Sequence, residues 1–299
     1  MARNEILVVY KKSLLQIYKE RNPKEMRSKL KQDKNFCDCI MRSDKSLQST
    51  IQTVEKILKS KGLKYKKMYR GKITHMLASD LVICVGGDGS FLQVAHHMDK
   101  GEIMLVNSDP LQSVAFYSCC TSNDFESRLD LYQRGKLSQN KLYRLKLVLD
   151  KKEIPEKPLN DILIAHQNPA AVTRYFIRRG RNKEEQKSSG IWISAPGGST
   201  AAIHSAGGKI MGLESKKFQY LVREPYGGGK KLHLRKGILT HREKLHLSSR
   251  TRRSKIYIDG NHLTYEFGLL SNLEISLYPK PLIVLGLKEK TTKYKKQSS

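Results

Sequence analysis

The chain has 299 residues, 56 Lys+Arg against 28 Asp+Glu, a formal net charge of +28 and a pI near 9.9. That length suits two domains, or one large α/β domain, with ample buried core, and a hydrophobic fraction of 38% is too high for a disordered chain. No run reaches the roughly 18 apolar residues of a membrane helix, the apolar run after the start is too short for a signal peptide, and five irregularly spaced cysteines argue for a reducing, cytoplasmic setting over a secreted disulfide framework.

Ile6 to Tyr10 is a short, β-branched apolar run of the kind that makes a buried strand. A Lys-rich stretch follows, with Leu47, Ile51, Val54, Ile57 and Leu58 at helical spacing and Gly62 as the expected C-terminal cap. Leu81 to Val85 predicts a second buried strand, Phe91 to Met98 a helix, and Ile103 to Val106 a third strand ending in Asn107-Ser108-Asp109-Pro110. This βαβ rhythm predicts a Rossmann-like α/β domain over 1–138, with a parallel sheet and ligands at the carboxyl ends of its strands. After about residue 140 the segments are short, β-branched or aromatic, and separated by turn residues without intervening helices. They predict a β-sandwich-like, all-β domain over 139–287. The basic tail, 288–299, is expected to be disordered.

The charge admits a nucleic acid, an anionic membrane surface, a phosphate-bearing substrate, or simply a surface of solvated lysines. Motifs narrow the choice. Val85-Gly86-Gly87-Asp88-Gly89-Ser90 falls between a strand and a helix. Glycines there let the backbone approach a phosphate closely, and the helix N-terminus favours an anion. Asp88 repels phosphates, so a carboxylate at that point implies either work on Mg²⁺ or a hydroxyl proton, or a simple helix cap through Phe91. No Gly-Lys-Ser/Thr follows, so the turn is not a P-loop. A second Gly/Ser/Thr-rich turn follows the Ile191 to Ile193 strand, within Ser194 to Gly208, and predicts a small-residue helix starting near Ser199 or Thr200. Asn160-Asp161 opens another apolar strand. An Asn side chain pairs with the donor–acceptor edge of a base, and a carboxylate accepts from ribose hydroxyls; an Asx-turn is the plainer alternative.

In combination, Gly86 to Ser90, Asn160-Asp161, the 194–208 run and Asp259-Gly260-Asn261 resemble the NAD kinase family. The resemblance covers roughly residues 5 to 287. Its specificity lies in co-occurrence, since the Gly-Gly-Asp-Gly turn is shared with diacylglycerol, sphingosine and phosphofructo-kinases. It implies that Asp88 is the catalytic aspartate taking the proton of the adenosine ribose 2′-hydroxyl of NAD. It further implies that Gly86, Gly87, Gly89 and Ser90 lie near ATP, and that Asp88, Gly89, Asn160, Asp161, Lys187, Ser189, Thr200, Ala201, Ser205 and Asn261 line the NAD site. ATP with Mg²⁺ is then the phosphoryl donor, without a protein metal site, and a homodimer or homotetramer is implied.

Three departures from the family pattern stand out. Ala195, Gly197 and Ala202 replace two threonines and a tyrosine of the usual Ser-Thr-Pro-Thr-Gly-Ser-Thr-Ala-Tyr run. Lys187-Ser188-Ser189-Gly190 replaces Arg-Ser-Asp-Gly, and Asn107-Ser108-Asp109-Pro110 replaces Gly-Asn-Leu-Gly-Phe-Leu. The last two look like the divergent branch that includes mitochondrial NAD kinases. Ala202 removes an aromatic surface, so the pocket there is finished by other residues, and Trp192 is expected in the core. The rival enzyme is a lipid kinase of the diacylglycerol or sphingosine type; against it, no Gly-Thr-Gly-Asn segment follows the Gly-Gly-Asp-Gly turn, and the 194–208 run fits the dinucleotide enzyme better. A silent nucleic-acid-binding protein is disfavoured because no RNA-binding motif accompanies the charge.

Overall fold

The computed structural model describes residues 5–24, 28, 33–229 and 231–287; the tail at 288–299 lies outside them. The chain divides into two compact units, 1–140 with 283–299, and 141–282.

The first unit is a parallel-rich sheet with helices between its strands. β1 (Ile6–Tyr10) is followed by α1 (Leu14–Arg21), whose first turn is closed by a reciprocal Ser13–Gln16 capping box. In α2 (Lys34–Ser60) the side chains of Ile40, Leu47, Ile51, Val54 and Leu58 recur at helical spacing and are all buried. Gly62, at φ +67°, ends it as the sequence predicts. The Leu63 N–H donates to the Leu58 carbonyl and the Gly62 N–H to Lys59, the paired bonds of a Schellman motif. β2 (Tyr65–Tyr69), β3 (Leu81–Gly86), α3 (Asp88–Ala95), β4 (Glu102–Asn107), β5 (Ser118–Thr121), α4 (Phe125–Gln133) and β6 (Gln139–Leu142) follow. All six residues of β3 are buried, as befits a strand covered on both faces. β1 pairs in parallel with β2 and β3, β3 with β4, and β4 with β5. The expected helix at 91–98 instead begins at Asp88, because Gly87 takes the extended N-cap conformation and frees the next residue to enter the helix.

The second unit holds two six-stranded antiparallel sheets. One runs β11 (Asn182–Ser188), β10 (Thr173–Arg179), β15 (Leu245–Ser249), β18 (Asn272–Leu277), β7 (Leu145–Leu149), β8 (Lys152–Glu153). The other runs β14 (Lys236–Thr240), β13 (Lys217–Arg223), β12 (Gly190–Ser194), β9 (Asp161–His166), β16 (Ser254–Ile258), β17 (Leu263–Glu266). Alternate residues from both sheets, among them Leu147, Ile177, Leu247 and Ile275 from the first and Ile162, Ile193, Tyr220 and Ile256 from the second, form one buried core. The unit is therefore a β-sandwich.

Two further sequence expectations change. The last strand, β19 (Leu282–Leu285), lies in the first sheet between β4 and β6, pairing Ile283 with Glu102 and Val284 with Ile103 in parallel. The 139–287 unit therefore gives up its end to the first unit. The helix expected from Ser199 or Thr200 is a 3₁₀ turn, Gly197–Thr200, followed by one helical turn, Ala202–Ser205.

Candidate functional site

In the first unit, the carboxyl ends of three adjacent parallel strands carry the polar residues. β3 runs into Gly86 and Gly87, and α3 begins at Asp88, with Gly89 exposed and Ser90 buried. The Asp88 carboxylate does not cap its own helix. Gly87 is the N-cap, without a side-chain bond, and Asp88 instead accepts the backbone N–H groups of Phe116 at 2.8 Å and Tyr117 at 3.0 Å. Phe91, one turn on, stacks on Tyr117 with centroids 4.7 Å apart, so carboxylate and ring together hold the helix start against the 115–117 segment. A carboxylate has about four lone-pair positions. Two N–H bonds leave Asp88 acceptor capacity for a hydroxyl.

Two cations outside the sequence motifs converge on the same turn. Lys11 directly follows β1, and Arg70 directly follows β2. Arg70 donates to the Ser90 hydroxyl at 3.0 Å, and a Cβ built on Gly86 would lie 2.5 Å from that hydroxyl and 3.7 Å from Lys11 Cδ. The same crowding explains why Gly86 carries no side chain. Burial, reinforced by the Arg70 charge, lowers the Lys11 pKa, with Asp109 acting in the opposite direction. Neither cation forms an ion pair among the described residues, so two positive charges stand beside a helix start that also favours an anion. The signal for both was position: each is the first residue past a parallel strand, where α/β sheets bind ligands.

In the second unit, three motifs far apart in sequence meet. Asp259 directly follows β16 in a left-handed conformation, φ +46°, and its carboxylate accepts the backbone N–H groups of Leu159, Asn160 and Asp161, each at 2.9 Å. The Asn160 carbonyl in turn accepts the Ala195 N–H at 2.9 Å. Gly198 of the 3₁₀ turn packs so closely on Asn160 that a Cβ there would overlap its carbonyl group. Asn160-Asp161, the 194–205 run and Asp259 to Asn261 thus form one assembly. Asp161 is 7% exposed, and its pKa is pushed up to about 7, mainly by burial and secondarily by the Asp259 charge.

Beside Asp161 lies a cavity of about 430 Å³ lined by Leu163, Trp192, Ala202, Tyr257, Gly260 and Asn261. Trp192, expected in the core, is half-buried on its wall. The alternation of β12 explains this: Ile191 and Ile193 face the core, so Trp192 faces outward. Thr200 and Ser205 are exposed and Ala201 half-buried on the turn above the Asn160 contact. Lys187 and Ser189 do not line the cavity. Lys187 lies over the Tyr226 ring at 4.7 Å, and the Ser189 N–H donates to the Arg223 carbonyl at 3.2 Å.

No family model matches the chain. A probable NADH kinase of Oryza sativa is 30% identical over 253 residues, covering 77% of this chain and 78% of that one. The NADH kinase of Arabidopsis thaliana is 32% identical over 262 residues, with 77% and 80% covered. The chain belongs to the NAD(H) kinase family. The fold agrees with that membership: an Archaeoglobus fulgidus NAD kinase solved with ATP superposes with a TM-score of 0.69 at 14% identity, covering 98% of both chains. Yeast NADH kinase solved with NADH gives 0.71 at 13% identity, covering 97% of this chain and 85% of that one. Within this NAD(H) kinase fold, no described helix is long and apolar enough to cross a membrane.

Proposed function

We propose that this chain transfers the terminal phosphoryl group of ATP to the adenosine ribose 2′-hydroxyl of NAD⁺, giving NADP⁺. The observation that carries the reading is the meeting of Asn160-Asp161, the 194–205 run and Asp259 to Asn261 in one assembly, from which Asp161, Ala202, Gly260 and Asn261 line a single cavity. Asn160 offers an amide to a base and Asp161 a carboxylate to ribose hydroxyls. Thr200, Ala201, Ser205 and Asn261 complete the dinucleotide side, with Lys187 and Ser189 as outer members. At the other turn, Asp88 takes the hydroxyl proton as the oxygen–phosphorus bond forms and the bond to ADP breaks. Gly86, Gly87, Gly89 and Ser90 leave room for the donor phosphates, and Lys11 and Arg70 offset their charge. Mg²⁺ would arrive with ATP, carried mainly by the phosphate oxygens rather than by a site of protein ligands. Its bound form neutralises phosphate charge. We assign the chain to the cytoplasm and to a homodimer or homotetramer as parts of the same proposal.

The test incubates the full chain with Mg-ATP and NAD⁺ and measures NADP⁺. Formation of NADP⁺ is expected. Phosphorylation of diacylglycerol without any NADP⁺ would transfer the chain to the lipid kinases. One observation favours a second acceptor: both plant relatives are named NADH kinases. A parallel arm with NADH, read as NADPH, decides between them.

A further inference from the structure

The cavity beside Asp161 has a chemistry that a ribose does not require. Its floor is one row of side chains across three neighbouring strands: Trp192 on β12 pairs with Leu163 on β9, which pairs with Tyr257 on β16. All three project from the outer face of the sheet, opposite the core residues Ile162, Ile193 and Ile256. Asp161, two residues before Leu163, stands on that same face, and Gly260 and Asn261 form one rim. Arg223 lies over the indole at 5.9 Å, within cation–π range, which restrains the ring. At about 430 Å³ the space falls in the range of small-ligand pockets, mostly apolar with a few polar groups fixing orientation. Ala202, where the family pattern has tyrosine, brings only a methyl group to the lining.

We infer that Trp192 and Tyr257 form a stacking subsite for one flat heteroaromatic ring of the dinucleotide, supplying from the sheet the aromatic surface that Ala202 lacks. The inference rests on the dinucleotide reading above. A planar ring gains dispersion and face contact against indole and phenol, and its attached ribose is then within the neighbourhood of the Asp161 carboxylate. The ring is adenine or nicotinamide, and the experiment separates them.

Trp192 is the single tryptophan of the chain, so its emission reports this cavity alone. The full-length protein is titrated with NAD⁺, with AMP, with nicotinamide mononucleotide, and with ribose 5-phosphate. Saturable quenching by NAD⁺ and by one of the two mononucleotides, with none from ribose 5-phosphate, is expected, and the mononucleotide that quenches identifies the ring. Loss of base–aromatic stacking corresponds to roughly 5- to 150-fold in affinity. Trp192→Leu and Tyr257→Leu are therefore each expected to raise the NAD⁺ KM within that range, leaving kcat within about threefold. Equal quenching by ribose 5-phosphate, or no quenching by any ligand, overturns the inference. So does an unchanged KM in both variants. If Trp192→Leu abolishes self-association while KM holds, the face is an interface between copies and the inference fails. A protein that makes NADP⁺ with unchanged KM in the variants refutes this subsite alone. A protein that makes none refutes the functional reading, while the mononucleotide titrations still decide the subsite.

Discussion

Asp161 and Asp259 make the most exposed quantitative prediction. Asp161 is nearly inaccessible to solvent, and its carboxyl is held up to about 7 by burial first and by the neighbouring Asp259 charge second. Asp259 itself is tied down by three backbone N–H groups. In the proposed function a ribose hydroxyl donates to the ionised form of Asp161, so that reading makes NAD⁺ binding require its deprotonation. The sign follows: affinity is full above pH 7 and falls below it, by about tenfold at one unit under the pKa. The stability effect runs the other way. A raised carboxyl pKa favours the folded state at low pH, and that contribution is lost as pH rises from about 4 to about 7. Asp259→Asn removes the like charge but leaves the burial, so the acid limb moves to lower pH without reaching the ordinary carboxylate range. It also replaces one acceptor oxygen by an amide donor facing N–H groups. Hydrogen bonds to charged groups contribute about 1.5–3 kcal/mol each, so a destabilisation of about 2 kcal/mol is expected after relief of the repulsion. The assay is kcat/KM for NAD⁺ from pH 5.5 to 9, with Kd from Trp192 quenching in parallel, for wild type, Asp161→Asn and Asp259→Asn. A wild-type profile flat through pH 7, or an acid limb unmoved in Asp259→Asn and still present in Asp161→Asn, refutes the reasoning.

Other outcomes follow from the two turns. Asp88→Asn lowers kcat by roughly 10²- to 10⁴-fold with a much smaller change in NAD⁺ affinity, measured by steady-state turnover and quenching; a variant with normal turnover removes Asp88 as the base. Lys11→Ala and Arg70→Ala each raise the ATP KM by about tenfold, since one charge-assisted contact contributes on the order of 1.5 kcal/mol, and leave the NAD⁺ KM nearly unchanged. Gly198→Ala forces a methyl onto the Asn160 carbonyl, so it lowers stability by about 1–3 kcal/mol in denaturant unfolding and raises the NAD⁺ KM.

The strand bounds of β1, β3 and β4 were legible because fully apolar runs between turn signals have one good home, the middle of a parallel sheet. The turn at 86–90 was legible for the same reason, since its glycines punctuate strand and helix. Lys11 and Arg70 were not: they lie 59 positions apart, and only the adjacency of β1 and β2 on one side of β3 unites them. Trp192 was misplaced because an isolated tryptophan in an apolar run says nothing of which face it takes; its neighbours Ile191 and Ile193 decide that through the pleat. Leu282–Leu285 is too short for its sequence to choose between sheets, and pairing with β4 settled it. The triple role of the Asp259 carboxylate left no trace in spacing, because its partners are backbone groups about 100 residues away.

The return of β19 to the first sheet sets an order of events during synthesis. β4 lacks its Ile283 and Val284 neighbours until residues 141–282 have been made. The sandwich is one uninterrupted stretch and has all its strands before the earlier-made sheet can close. A released chain ending at residue 281 would therefore have a complete set of sandwich strands, while its first sheet kept an unfilled slot. The last few described residues, and not the first hundred, complete the unit that carries Asp88.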